Sequence, residues 1–191
     1  FYTAWLDSGH ADAEAEAFVH WNEDDPAVVP AGCANCHSAA GFQDYIGADG
    51  SAVGAVDAEI KAPAGALTCN TCHNETAAAL STVTFPSGVT LEGLGPDARC
   101  LVCHQGREAK ATVDAAVEKA AVADEDTVAA ADALGFRNIH YFAAAVTLYG
   151  SQVKGGYEYD GKTYDYKNDH TEGYDSCIGC HDSHTLEVKV E

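Results

Sequence analysis

Apolar residues recur at helical spacing in the part of the chain between residues 109 and 146. Valines and alanines at that spacing predict a helix over residues 109–123. A second helix is predicted over residues 127–134, begun by Asp126 and ended by Gly135. The apolar run 141–146 predicts a core helix.

The N-terminal segment and two later segments give further signals. A helix capped at Asp7 or Ser8 is predicted to run to His20. Residues 156–166 alternate tyrosines with polar residues around an Asp-Gly turn, which predicts a β-hairpin. Residues 83–91 predict a second, weaker hairpin around Pro-Ser-Gly.

The composition excludes several classes of function. Of the 191 residues, 10 are Lys or Arg against 30 Asp or Glu, which gives a formal charge of −20. Binding to nucleic acid or to an anionic membrane surface needs a basic face, so neither is expected. No apolar run approaches the roughly 20 residues of a membrane span. The hydrophobic fraction of 47% contains much Ala, so large apolar side chains are sparse.

All eight cysteines lie in four Cys-x-x-Cys pairs, and a His follows each pair. Cysteines alone would also fit a disulfide framework in an exported protein or a pair of four-Cys zinc sites. Neither alternative requires a His after the second Cys, and a His in that position four times by chance has a probability of order 10⁻⁵ to 10⁻⁶. A Cys-x-x-Cys-His sequence is the attachment signature of c-type haem. The motifs are Cys33-Ala-Asn-Cys36-His37, Cys69-Asn-Thr-Cys72-His73, Cys100-Leu-Val-Cys103-His104 and Cys177-Ile-Gly-Cys180-His181.

The spacing within each motif suits the chemistry of haem attachment. Two thioether bonds to one haem need thiols about one helical turn apart, and the adjacent His then reaches the iron as its proximal ligand. The sequence therefore predicts four covalently bound haem c groups, with iron held by His37, His73, His104 and His181.

Five further histidines are candidates for the distal ligands of the four irons. Since the chain contains no Met, bis-His ligation is expected at all four haems, with one His to spare. His10 and His20 would point about 80° apart on a single helix and so would serve different haems. His184 lies too close to His181 to serve the same iron easily, so a neighbouring haem is its expected target. The candidates are His10, His20, His140, His170 and His184.

Four haems leave little room for a core of side chains. One haem falls to roughly 48 residues, so the porphyrins themselves are expected to form the core of one tetrahaem domain over residues 1–191. The expected fold class is a mostly irregular, loop-rich multihaem cytochrome c with a few short α-helices and one or two small β-hairpins.

Several local sequences resemble those of a known group of proteins, the tetrahaem subunits of extracellular cytochrome filaments, which occur in metal-reducing bacteria and some archaea. The resemblance runs over nearly the whole chain. The segments that carry it are Ser8-Gly9-His10-Ala11, Phe18-Val19-His20-Trp21, Cys33-Ala34-Asn35-Cys36-His37-Ser38, Phe85-Pro86-Ser87-Gly88, Cys103-His104-Gln105-Gly106-Arg107, Arg137-Asn138-Ile139-His140-Tyr141 and Cys180-His181-Asp182-Ser183-His184.

The resemblance implies a continuous chain of haems, in which parallel and T-shaped neighbours alternate, and helical polymerisation of identical subunits. It also implies that a His of one subunit completes a haem of the next, and His10 is the favoured donor. The strongly acidic composition departs from the group.

Electron transfer is the function expected from these patterns, because a hexacoordinate iron has no open site for a substrate. The alternatives are a soluble monomeric periplasmic tetrahaem shuttle and, less favoured, a multihaem reductase or oxidase, which would need an open iron. Expected partners are identical subunits and other redox proteins or extracellular electron acceptors. The start at Phe1 and the absence of Met suggest removal of a signal peptide. An extracellular or cell-surface location is expected, with the periplasm as the alternative.

Overall fold

The computed structural model of the chain describes residues 1–123, 134–168 and 174–189, and the chain divides into two compact units. The first unit combines Phe1–Ser81, Leu94–Val102 and Thr171–Glu191. The second unit combines Thr82–Gly93 and Cys103–His170. A single tetrahaem domain stays a prediction.

The first unit is built from short helices and one small sheet. Val28–Val29 pairs antiparallel with Ile60–Lys61, with Val28 opposite Lys61 and Val29 opposite Ile60. The third haem motif continues this unit through the first part of helix Ala98–His104, which follows the 3₁₀ turn Gly95–Asp97. The other helices are Tyr2–Leu6, Glu16–Val19, Ala31–His37, Ala39–Tyr45, Cys69–Cys72, Glu75–Ala79 and Cys177–Cys180.

The tightest packing of this unit joins the helix of the first motif to the helix that follows it. A Cβ on Gly41 would lie 2.3 Å from the carbonyl oxygen of Ala34, so the contact admits only glycine. Buried Ser38 connects the two helices, because its hydroxyl donates to Ala34 and accepts the N–H of Gly41. The core of the unit includes Phe18, Val29, Ala34, Phe42, Ile46, Leu67 and Leu101.

Within its described residues, the second unit contains a hairpin and two helices. Val83–Thr84 pairs antiparallel with Thr90–Leu91. The helices are Lys110–Ala120 and Ala144–Tyr149, and the 3₁₀ turn Gly150–Gln152 follows the latter. Phe85 is buried and packs edge to face on Tyr149, with ring centres 6.4 Å apart. The rest of its core includes Val83, Ala109, Ala116, Ala145, Val146 and Val153.

Some predicted elements are present with shorter bounds. The helix predicted over residues 109–123 spans Lys110–Ala120, and the hairpin predicted over residues 83–91 forms with two-residue strands. The helix predicted over residues 127–134 lies outside the described residues, apart from its last position. The architecture seen is a mixture of helix and loop with two small antiparallel sheets.

The prediction of one long N-terminal helix is wrong. Helices Tyr2–Leu6 and Glu16–Val19 are separated by turns. The carboxylate of Asp12 accepts the N–H of Glu14 at 3.0 Å, a local turn that competes with helical hydrogen bonding. The two predicted helical histidines, His10 and His20, therefore do not share one helix.

Two other segments differ from prediction for reasons of backbone geometry. Within residues 156–166 no strand forms, because the N–H of Tyr159 donates to the hydroxyl of Tyr164 at 2.9 Å and the carbonyl of Asp165 accepts from Ser151. The run 141–146 becomes helical only from Ala144, since Phe142 has a φ of +52°.

No helix in the described part of the chain has the length and apolar character that crossing a bilayer requires.

Candidate haem-attachment sites

Each predicted haem motif begins on a helical turn. The four segments are Ala31–His37, Cys69–Cys72, Ala98–His104 and Cys177–Cys180, and we call them the first to fourth motif helices. Side chains three residues apart lie on the same face of a helix, so the two thiols of each motif face the same side. This is the spacing that two bonds to one porphyrin edge require.

None of the eight cysteines forms a disulfide, and none is fully buried. Cys69 is exposed and the other seven are half-buried. Cysteine is ordinarily among the most buried residue types. Partly exposed thiols are the arrangement expected where a large apolar group attaches. Across the residues that the structure describes, no three Cys, His, Asp or Glu side chains converge to hold a metal ion by themselves.

Hydroxyl side chains fix two of the motif helices at their starts. Ser176, just before the fourth motif, accepts the N–H of Gly179 at 3.0 Å. The N–H of Thr68, just before the second motif, donates to the hydroxyl of Thr71 at 3.0 Å. These caps satisfy N–H groups that a four-residue helix cannot satisfy alone.

Three proximal histidines are held by the same type of hydrogen bond. Nδ1 of His37 lies 2.7 Å from the carbonyl of Ala17, Nδ1 of His104 lies 2.7 Å from that of Phe142, and Nδ1 of His181 lies 2.9 Å from that of Leu186. A carbonyl only accepts, so each Nδ1 carries the proton. Each Nε2 is therefore left as the metal-binding nitrogen, which is the usual outer support of a His ligand.

The fourth proximal candidate, His73, lies beside a distal candidate. Its ring is parallel to that of His184 within 8°, and the ring centres are 6.0 Å apart. An imidazole nitrogen binds a metal ion at about 2 Å and its ring centre lies about 1 Å further away, so two imidazoles across one iron have centres about 6 Å apart. The pair therefore has the separation expected of axial ligands to one haem.

A hollow of about 370 Å³ opens beside His73. Its lining is Cys72, His73, Asn74, Glu75, Ala78 and Arg99. It thus joins an attachment thiol, an iron-ligand candidate and a guanidinium that can pair with a carboxylate. Burial raises the pKa of the Cys72 thiol, which keeps that thiol in its neutral form. The residues present fit a covalently attached haem.

The first motif has an aromatic neighbour that sequence reasoning missed. The ring of Trp21 meets His37 edge to face at 5.0 Å and His20 at 4.7 Å, so the indole separates a proximal from a distal candidate. Nδ1 of His20 lies 2.8 Å from the carboxylate of Glu16, which likewise leaves Nε2 as the coordinating nitrogen.

The third motif and His140 are brought together in the second unit. Gly106 adopts a φ of +77°, and a Cβ there would lie 2.8 Å from the carbonyl oxygen of Ile139. The N–H of Arg107 donates to the same carbonyl at 3.1 Å. With the bond from His104 to Phe142, these contacts bracket His140 on both sides. Neighbouring apolar side chains are solvent-exposed, among them Phe142 at 86%.

The remaining distal candidates are His10 and His170. The carbonyl of His10 accepts the N–H of Leu67 at 3.1 Å, which ties its backbone beside the second motif. His170 lies outside the described residues.

One thiol of the third motif and one of the fourth shift each other's pKa. Cys177 donates a hydrogen bond to the sulfur of Cys100, which lowers the pKa of Cys100 and raises the pKa of Cys177. Two attachment points that are far apart in sequence are therefore neighbours in the first unit.

Comparisons with known proteins bear on the class of cofactor. No protein-family model matches the chain, and no solved structure matches it. The C-type polyheme cytochrome OmcB of Geobacter sulfurreducens, found in two strains, is 29% identical over 184 residues, covering 80% of this chain and 23% of the relative. The C-type polyheme cytochrome OmcC of the same species is 26% identical over 191 residues, covering 83% of this chain and 23% of the relative. These similarities support a multihaem c-type cytochrome.

The chain spans about a quarter of the length of the curated relatives it matches. The similarity supports covalently bound haem c. The number of haems and the ligand of each iron stay predictions.

Proposed function

We propose that the chain is the repeating subunit of an extracellular filament that conducts electrons through four bis-His c-type haems. The observation that carries the bis-His part is the parallel pair His73 and His184, with ring centres 6.0 Å apart. Haem c bound at the four motifs would supply irons that each take up and release one electron.

The protein's own groups hold and tune those irons. Carbonyl groups fix the protonated Nδ1 of His37, His104 and His181, so that the rings keep one orientation in both oxidation states. Two imidazole ligands lack the potential-raising effect of Met, so low potentials are expected. A full set of distal histidines leaves no open iron, which favours electron transfer over conversion of a substrate.

The placement of His10 is the basis for proposing polymerisation. With His184 as the distal ligand of the iron held by His73, that iron does not require the nearby His10. We propose that His10 binds the iron of a haem in an adjoining subunit. Identical subunits, and redox proteins or extracellular acceptors at the filament ends, are then the partners.

Negative-stain electron microscopy of the native protein at matched salt concentration tests the proposal. Uniform filaments with a regular repeat are expected, and His10→Ala should give short particles that retain four haems with one high-spin iron. Glu14→Ala, an exposed change in the same segment, should leave the filaments intact. Discrete particles near the 19.9 kDa chain mass with four low-spin haems would instead indicate a soluble periplasmic shuttle.

A further inference from the structure

Asp97 lies at the point where the third and fourth motif helices meet. It ends the 3₁₀ turn Gly95–Asp97, directly before the third motif helix, and is only 5% exposed. One carboxylate oxygen accepts the N–H of Cys177 at 2.9 Å, and the other accepts the N–H of Ile178 at 3.2 Å. The carboxylate thus joins residues that are 80 positions apart in the sequence.

These bonds complete the start of the fourth motif helix. The first N–H groups of any helix have no partner within the helix and carry its positive end. Asp97 accepts the first two of them, and Ser176 accepts that of Gly179. The turn that carries both attachment thiols of the fourth motif is therefore fixed in position and orientation, and a negative group is the favoured partner there.

The bonds from Asp97 bring the first attachment cysteines of the two motifs close together. Cys100 lies one helical turn after Asp97, and Cys177 donates its backbone N–H to the Asp97 carboxylate. Once each thiol has become a thioether, these two sulfurs would mark the edges of two different haems that lie side by side.

We infer that Asp97 is a positioning residue that holds the fourth haem against the third, so that these two haems form a directly coupled pair. The inference rests on the proposed electron-transfer function, and adds to it which haems are neighbours and which side chain sets their separation. The third motif helix also contacts the first and second motifs. Arg99 donates to the carbonyl of Cys72 at 3.2 Å, and the sulfur of Cys36 lies 3.8 Å from the carbonyl of Val102.

The test compares Asp97→Asn with Asp97→Ala in the haem-loaded protein. Both variants remove the negative charge, but only Asn keeps an oxygen that can accept one of the two N–H groups. Asp49→Asn is the matched control, because Asp49 also accepts a backbone N–H, that of Ser51, but does so in an exposed turn of the same unit. The readouts are the Soret circular-dichroism couplet, which reports coupling between haems, and a potentiometric titration.

The expected result is a weakened couplet in Asp97→Asn, its loss in Asp97→Ala and no change in Asp49→Asn. The two potentials of the third and fourth haems should move closer together in Asp97→Ala than in Asp97→Asn, since separated haems repel each other's electrons less. Identical spectra and potentials for the Asn and Ala variants would mean that Asp97 acts only through its negative charge, which both variants lack. That result would overturn the inference. If Asp97→Ala does not accumulate, an unaltered couplet in Asp97→Asn overturns it equally.

Failure of the proposed function would look different. It would appear in the unmodified protein, as irons that do not take up electrons or as fewer than four attached haems, and not as a difference between the variants.

Discussion

Replacing His184 by Ala should open one iron and only one. The ring of His184 lies parallel to that of His73 at 6.0 Å, so its removal takes away the distal ligand candidate of the second haem. Ala cannot bind iron, and the other motif histidines keep their carbonyl partners. A single five-coordinate, high-spin haem is the expected product.

The size of the effect follows from the stoichiometry. One haem in four becomes high-spin, so the variant should bind one CO per chain when it is reduced, whereas the unmodified protein should bind none. The potential of that haem should also rise, because an imidazole stabilises ferric iron more than ferrous iron. Each tenfold loss of that preference corresponds to about 59 mV for a one-electron couple.

The assay is CO titration of the dithionite-reduced protein, together with the electron paramagnetic resonance spectrum of the oxidised protein. Ser183→Ala, a change at the exposed neighbouring position, is the matched control and should bind no CO. Four low-spin haems and no CO binding in His184→Ala would refute the assignment of His184 as an iron ligand. Two or more CO molecules per chain would refute the one-to-one pairing with His73.

Two further predictions concern the second unit. Gly106→Ala should destabilise the unit more than Gly161→Ala. Both positions have a positive φ, which costs an alanine about 1–2 kcal/mol, but only a Cβ at position 106 would lie 2.8 Å from a carbonyl oxygen. Denaturant unfolding should therefore show a further loss of about 1–3 kcal/mol in Gly106→Ala, and equal losses in the two variants would contradict the close packing at Gly106. Acid should weaken the unit through Asp114, whose pKa is held below 3.8 by hydrogen bonds from Lys110 and from Tyr157. A carboxyl whose pKa is lowered in the folded state adds stability that is complete above its ordinary pKa and is lost as the pH falls through the folded-state pKa. The thermal unfolding temperature between about pH 5 and pH 2 should therefore depend less on pH in Asp114→Asn than in the exposed control Asp165→Asn. Equal pH profiles for the two variants would contradict this role of Asp114.

The attachment motifs could be predicted from sequence because their chemistry is local. Two thiols and a His within five residues carry both the covalent spacing and the proximal ligand, and the structure places each such segment on a helical turn. The hairpin at residues 83–91 is local in the same sense.

The pairing of side chains could not be predicted because it depends on contacts between distant parts of the chain. Nothing near His73 points to His184, and nothing near Asp97 in the sequence points to Cys177. The N-terminal helix failed because the Asp12 side chain offers the backbone another hydrogen bond. The tyrosine-rich segment failed as a hairpin because Ser151, outside it, takes a carbonyl that strand pairing would use.

The account depends most directly on the covalent attachment of four haems. The decisive measurement is the intact mass of the denatured chain, produced with export and c-type haem attachment. A mass equal to that of the chain plus four haem groups, with no reactive thiol remaining, is the result that the account predicts. Eight titratable thiols, or a mass lower only by the hydrogens lost in forming disulfides, would contradict it.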